Sequence, residues 1–231
     1  KLGYQAREFQ GNVLSMVKND FSSSIRFIMK EQPTIMKMLL LAAFSRFFVM
    51  GVTLVGLPFL VRTVLGLDAK FYGGAESAMA VATILGSIAA GLLTGKLRSG
   101  RLSYVLAAIG VCIIPAGIVF LFPSGVMTRY AVIVAAFCGM QAAISIFSIF
   151  AVSMIQQNTP DELIGKIMAY TSAVTLCAQP VGQMVYGFLF DRFQGIVYLV
   201  LIPSGIVVCV IGLLATGFFR KLEKKQGGAI D

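Results

Sequence analysis

Six long apolar stretches fill most of the 231-residue chain, running roughly over 38–61, 71–94, 102–122, 130–154, 167–190 and 196–218. Only Arg46 and Glu76 place a charge inside them. An α-helix needs about 20 apolar residues to cross the hydrocarbon core of a bilayer, and each stretch has that length. Backbone groups in hydrocarbon must be satisfied within their own segment, so these stretches are expected to be helices packed on one another and on lipid. A membrane β-barrel would alternate apolar and polar residues with period two. The runs Val105 to Val111 and Ile206 to Val210 do not alternate. The expected fold class is an all-α membrane protein of six transmembrane helices.

Charge supports this reading and sets an orientation. Charged residues make up 13 % of the chain, against about a quarter in soluble domains. The net charge of +9 would suit a nucleic-acid partner, but its placement argues against one. With the first 37 residues inside, the inner segments carry fourteen Lys and Arg residues and the outer loops carry four. The positive-inside rule accounts for that imbalance, with both termini cytoplasmic. The expected organisation is a cytoplasmic linker over 1–33, a six-helix bundle over 34–219 and a cytoplasmic tail over 220–231. In the linker, Phe9, Val13, Met16, Val17, Phe21, Ile25 and Ile28 recur at roughly helical spacing. One or two amphipathic helices on the membrane face, or a solvated linker, would fit. The chain opens on Lys and not Met, so a fragment or a processed product is expected.

Several chemistries are removed at once. There is no His, so His-dependent metal sites and Ser–His or Cys–His nucleophile pairs are not expected. Cys112, Cys138, Cys177 and Cys209 all fall in apolar stretches, where they read as small buried hydrophobes. No glycine-rich phosphate loop is present, and no cofactor or metal is expected. Any energy source is then an ion gradient or the gradient of the substrate itself.

The chain contains a repeat. Ala82, Gly86, Gly91 and Leu93 recur 96 residues later as Ala178, Gly182, Gly187 and Leu189, and Lys96 becomes Arg192. The two copies are the second and fifth crossings. An odd number of crossings separates them, so they run in opposite directions. This is the plan of an inverted three-plus-three repeat, common among transporters.

With the repeat in place, the chain resembles the C-terminal six-helix half of a major facilitator superfamily transporter. Leu97-Arg98-Ser99-Gly100-Arg101 is similar to the family's short cytoplasmic loop of pattern Asp-Arg-x-Gly-Arg, with Leu97 where the pattern has Asp. The segment Gln156 to Lys166 resembles the loop before the eleventh helix, and Asp20 to Lys37 resembles the central linker of bacterial macrolide and siderophore exporters. The resemblance implies a bacterial inner-membrane protein whose other half is an N-terminal six-helix bundle, efflux of a small organic molecule, and peripheral ninth and twelfth helices. Those are the third and sixth crossings here.

Strong polar groups are confined to the other four crossings. In the fifth, Ser172, Thr175, Gln179, Gln183 and Tyr186 fall on one helical face, and in the fourth Gln141, Ser145 and Ser148 do. These stripes would line a substrate cavity or hydrogen-bond neighbouring helices. Arg46 lies about 12 Å into the first crossing at 1.5 Å per residue. A charge there is costly and normally faces a cavity or a partner. It would anchor an anionic substrate group, pair with a carboxylate, or snorkel back to the interface. Glu76, near the outer end of the second crossing, would carry a coupling proton, pair with Arg46, or simply stabilise a helix start. Gly74, Ala78, Ala82, Gly86 and Ala90 recur every four residues and read as a helix-packing stripe. Pro58, Pro115, Pro180 and Pro203 would bend their helices. The expected function is secondary active transport by alternating access, with proton exchange as the candidate coupling. The rival class is a non-transporting membrane sensor or assembly module. The expected partners are the lipid bilayer, a second six-helix bundle (the N-terminal half or a second copy) and a small-molecule substrate, with no nucleic acid.

Overall fold

A computed structural model describes residues 33–93 and 101–227, and every regular element among them is helical. The expected linker helices, together with Arg98 and Gly100, lie outside the described residues. Helix α1 (Pro33–Gly51) continues through two π-helical stretches, Val52–Gly56 and Phe59–Val64, on either side of Pro58. Then follow α2 (Ala69–Leu93), α3 (Leu102–Ile118), α4 (Val126–Gln157), a short 3-10 turn (Asp161–Leu163), α5 (Ile164–Arg192) and α6 (Tyr198–Gly227). Five of the six spans are long and apolar enough to cross a membrane, and α3 is a shorter apolar helix. This is an all-α, multi-pass membrane architecture.

Two of the boundaries that differ from the sequence expectation have an identifiable physical reason. The third crossing was expected to reach residue 122, but α3 ends at Ile118. Phe122 precedes Pro123, and a residue before proline is pushed out of the helical region. Tight turns carry the chain on, with Phe120 N–H donating to Gly117 O (3.1 Å) and Leu121 N–H to Ile118 O (2.9 Å). Arg129 of α4 covers this end by donating to Phe122 O at 3.2 Å and Ser124 Oγ at 3.3 Å. A guanidinium at a helix C-terminus satisfies carbonyls that have no helical partner. At the other end of the chain, the expected tail begins inside α6, which runs on to Gly227. The residues Arg220 to Lys225 are mostly good helix formers, and their positive charge suits a helix C-terminus.

The helices pack as pairs. α1 lies against α5, α2 against α4, and α3 against α6, while α4 touches both α3 and α1. Between membrane helices, close backbone approach replaces the hydrophobic effect as the source of cohesion. Gly86 of α2 sits where a Cβ would come within 2.7 Å of Ala142 O on α4. Gly182 of α5 faces Phe47 of α1 in the same way, with the carbonyl carbon 3.0 Å from an added Cβ. Around Gly182, Tyr186 is almost fully buried against the rings of Phe47 and Phe48, with centroids 6.4 and 6.2 Å away.

The buried face of α2 is Ala75, Met79, Ala82, Gly86 and Ala90. The four-residue stripe expected from sequence coincides with it only at its last three members; Gly74 is exposed and Ala78 half-buried. A strict four-residue repeat turns about 40° per step on a helix of 3.6 residues per turn. A straight contact therefore needs one three-residue step, which the structure takes between Met79 and Ala82.

Candidate functional site

Two clefts open between the polar helices. One, of about 240 Å³, lies between α1, α2 and α4 and is lined by Arg46, Met50, Thr83, Ser87, Gln141, Ile144, Ser145, Ser148 and Ile149. The other, of about 160 Å³, lies between α1, α4 and α5; its lining includes Ala42, Arg46, Ser148, Ala151, Thr171, Ser172 and Thr175. Arg46 and Ser148 belong to both. Along α4 the first cleft spans 141–149 and the second 148–155, so the two are stacked end to end about 10 Å apart at 1.5 Å per residue.

The hydroxyl groups hold the walls together. Ser87 Oγ and Ser145 Oγ lie 2.8 Å apart, and Ser145 Oγ donates to Thr83 O at 3.2 Å across the α2–α4 contact. On the other wall Thr175 Oγ1 donates back to Thr171 O at 2.7 Å, and Thr171 Oγ1 to Ile167 O at 2.8 Å. These four hydroxyls therefore spend their donors on backbone carbonyls, the usual arrangement in apolar helices. Two of the remaining polar side chains stand out. Among the described residues no ion pair or hydrogen bond engages the Arg46 guanidinium, which is half-buried. The side-chain oxygen Oε1 of Gln141 is buried with no hydrogen-bond partner.

The structure thus brings Arg46, Gln141, Ser145 and Ser148 into one cleft, and Arg46, Ser148, Ser172 and Thr175 into the next. Gln179 and Gln183, expected to join them, are half-buried on α5 and line neither cleft. Tyr186, on the same stripe, is a core residue of the α1–α5 contact. Glu76 stands apart from both clefts and accepts a hydrogen bond from Tyr72 Oη at 2.9 Å, four residues earlier on the same helix. It lies beyond the first turn of α2, where the helix dipole acts most strongly, and no ion pair joins it to Arg46 among the described residues. Of the loop motif only Arg101 is described, exposed at the start of α3. The four cysteines are free thiols; Cys112, Cys138 and Cys209 are half-buried, whereas Cys177 is exposed rather than buried.

Sequence reasoning missed Thr83 and Ser87. The signal was present: the 96-residue offset that relates the two similar segments places Thr83 opposite Gln179 and Ser87 opposite Gln183. Short hydroxyl side chains at those places escaped attention because the amides at their counterparts are bulkier and more polar. Among the described residues no three His, Cys, Asp or Glu side chains cluster as metal ligands would.

No protein-family model, curated protein or solved structure matches the chain.

Proposed function

We propose that this chain is one six-helix half of a secondary active transporter that works by alternating access, of the major facilitator type its loop motif and repeat resemble. The observation that carries the reading is the pair of stacked clefts joined at Arg46 and Ser148. A polar track of this kind, lined by hydroxyls and one unpaired cation, is costly in a membrane unless it borders water or a ligand.

The packing pattern supports an inverted repeat. If α1, α2 and α3 correspond to α4, α5 and α6, then the α1–α5 pair corresponds to α4–α2, and both pairs are present. Gly86 and Gly182, 96 residues apart, occupy the same position in those two contacts. Burial follows the same offset: Ala75 and Thr171, and Ala90 and Tyr186, are buried together, while Leu85 and Val181, Ile88 and Met184, and Leu92 and Phe188 are exposed together. In this reading the second wall of the passage is another six-helix bundle, and the site lies where the two halves meet. The membrane is a bacterial inner membrane, the termini are cytoplasmic, the direction is efflux, and Glu76 with its Tyr72 hydrogen bond carries an exchanged proton.

Water access tests the proposal without knowledge of the substrate. Single cysteines at Gln141, Ser148 and Ser172, in full-length protein lacking its native cysteines, are expected to react with a membrane-impermeant maleimide. Reaction from one face should fall as reaction from the other rises when the conformation changes. If none of the three positions reacts from either side, no aqueous passage exists and the transport reading fails.

A further inference from the structure

We infer that the ligand of the larger cleft is a small organic anion that also carries an N–H or O–H donor. The inference rests on the transport reading above and adds the chemical class of what is moved.

Two unmet polar groups share this cleft, and they ask for opposite things. A guanidinium stays charged at any physiological pH and offers donors only. Arg129, in the first turn of α4, shows what a partnered guanidinium looks like here: it donates to Phe122 O and Ser124 Oγ and lies over the Phe120 ring, 5.5 Å from its centroid. Arg46 has no such partners among the described residues. No Asp or Glu lines either cleft, so the charge is not balanced locally. An anion is the complement, and a carboxylate matches the planar fork of Arg in two parallel hydrogen bonds.

Gln141 Oε1 makes the opposite demand. It is a buried acceptor with no donor, a state that folded proteins avoid unless something else supplies the hydrogen. The neighbouring hydroxyls do not: Ser87 and Ser145 are committed to each other and to the Thr83 carbonyl. In the occupied cleft we assign that donor to the ligand. Met50, Ile144 and Ile149 complete the lining and suit an apolar body between the two polar ends. The cleft, at about 240 Å³, is sized for a small molecule and not for a polymer.

The probes are 4-aminobenzoate, which has both features, benzoate, which lacks the donor, and 4-aminobenzamide, which lacks the charge. Their equilibrium binding to detergent-purified full-length protein is measured by calorimetry at neutral pH. The expected result is that 4-aminobenzoate binds roughly ten- to a hundredfold more tightly than 4-aminobenzamide, the range of one charge-assisted hydrogen bond. Arg46→Gln should abolish that preference, and Arg46→Lys, which keeps a charge at the same place, should retain part of it. Gln141→Met should leave benzoate binding in place and erase the advantage of 4-aminobenzoate over benzoate. The inference is overturned if the wild-type protein does not distinguish carboxylate from amide, whether it binds both or neither. It is also overturned if the preference survives Arg46→Gln, or if the amino-group advantage survives Gln141→Met. Selective binding by a protein whose cleft never changes its side of access would sink the transport reading and leave this ligand class standing.

Discussion

Single residues fix how closely the helices approach. Gly182→Ala should push α5 off Phe47 and lower stability by about 1–3 kcal/mol, the usual cost of overpacking. Thermal unfolding of the purified protein checks this, with Gly187→Ala as the control because nothing lies within 4 Å of a Cβ there. An unchanged melting temperature for Gly182→Ala would show that the α1–α5 contact is looser than described. Ser145→Ala removes a hydrogen bond that spans α2 and α4, and should cost about 0.6 kcal/mol, the average for such bonds within membranes. At this scale much of the cleft was legible in sequence. A lone Arg in an apolar run announces itself, and Gln141, Ser145 and Ser148 share a face by spacing alone. What spacing does not encode is the neighbour that a face meets. Ser172, Thr175, Gln179, Gln183 and Tyr186 occupy one stripe of α5, yet Tyr186 packs under Phe47 and Phe48 of α1, Gln179 and Gln183 are half-buried outside both clefts, and only Ser172 and Thr175 reach a cleft.

Helix existence was plain from sequence because water-free surroundings leave the backbone no alternative. Helix ends and internal irregularities were not. The π-helical stretches of α1 depend on how the chain passes Pro58, which cannot donate a backbone hydrogen bond. Leu65 N–H reaches past the ordinary partner to Leu60 O at 2.9 Å. Inside the first stretch the buried hydroxyl of Thr53 finds no partner, which no periodicity could reveal. Pairing of elements is directly testable. Cysteines at Ser87 and Ser145, whose Oγ atoms are 2.8 Å apart, should form a disulfide on mild oxidation in a background without the native cysteines. Cysteines at Ser87 and Ser172 should not, since those residues line different clefts. Absence of the first cross-link would refute the α2–α4 pairing.

For the molecule as a whole, the charge distribution predicts sidedness. Cysteines introduced in the turns near Asn158 and Arg101 should be labelled from one side of the membrane, and those near Asp68, Ser124 and Gln194 from the other. Labelling of all five from one side would break the alternating topology. If a proton drives export, dissipating the pH gradient should stop uphill movement of 4-aminobenzoate in proteoliposomes, and Glu76→Gln should have the same effect while leaving passive exchange intact. Uphill movement that persists in both cases would remove Glu76 from the mechanism. The 96-residue repeat was visible in sequence as a handful of matching small residues. Its packing partners were not, because a stripe of Gly and Ala says that something comes close without saying what. Those partners carry a consequence. Gly86 and Gly182 act as two fasteners of one pattern in two separate helix contacts, one gripping α4 and the other α1. On the transport reading, slackening either would leave its twin closed, so that the molecule gives way at one contact at a time.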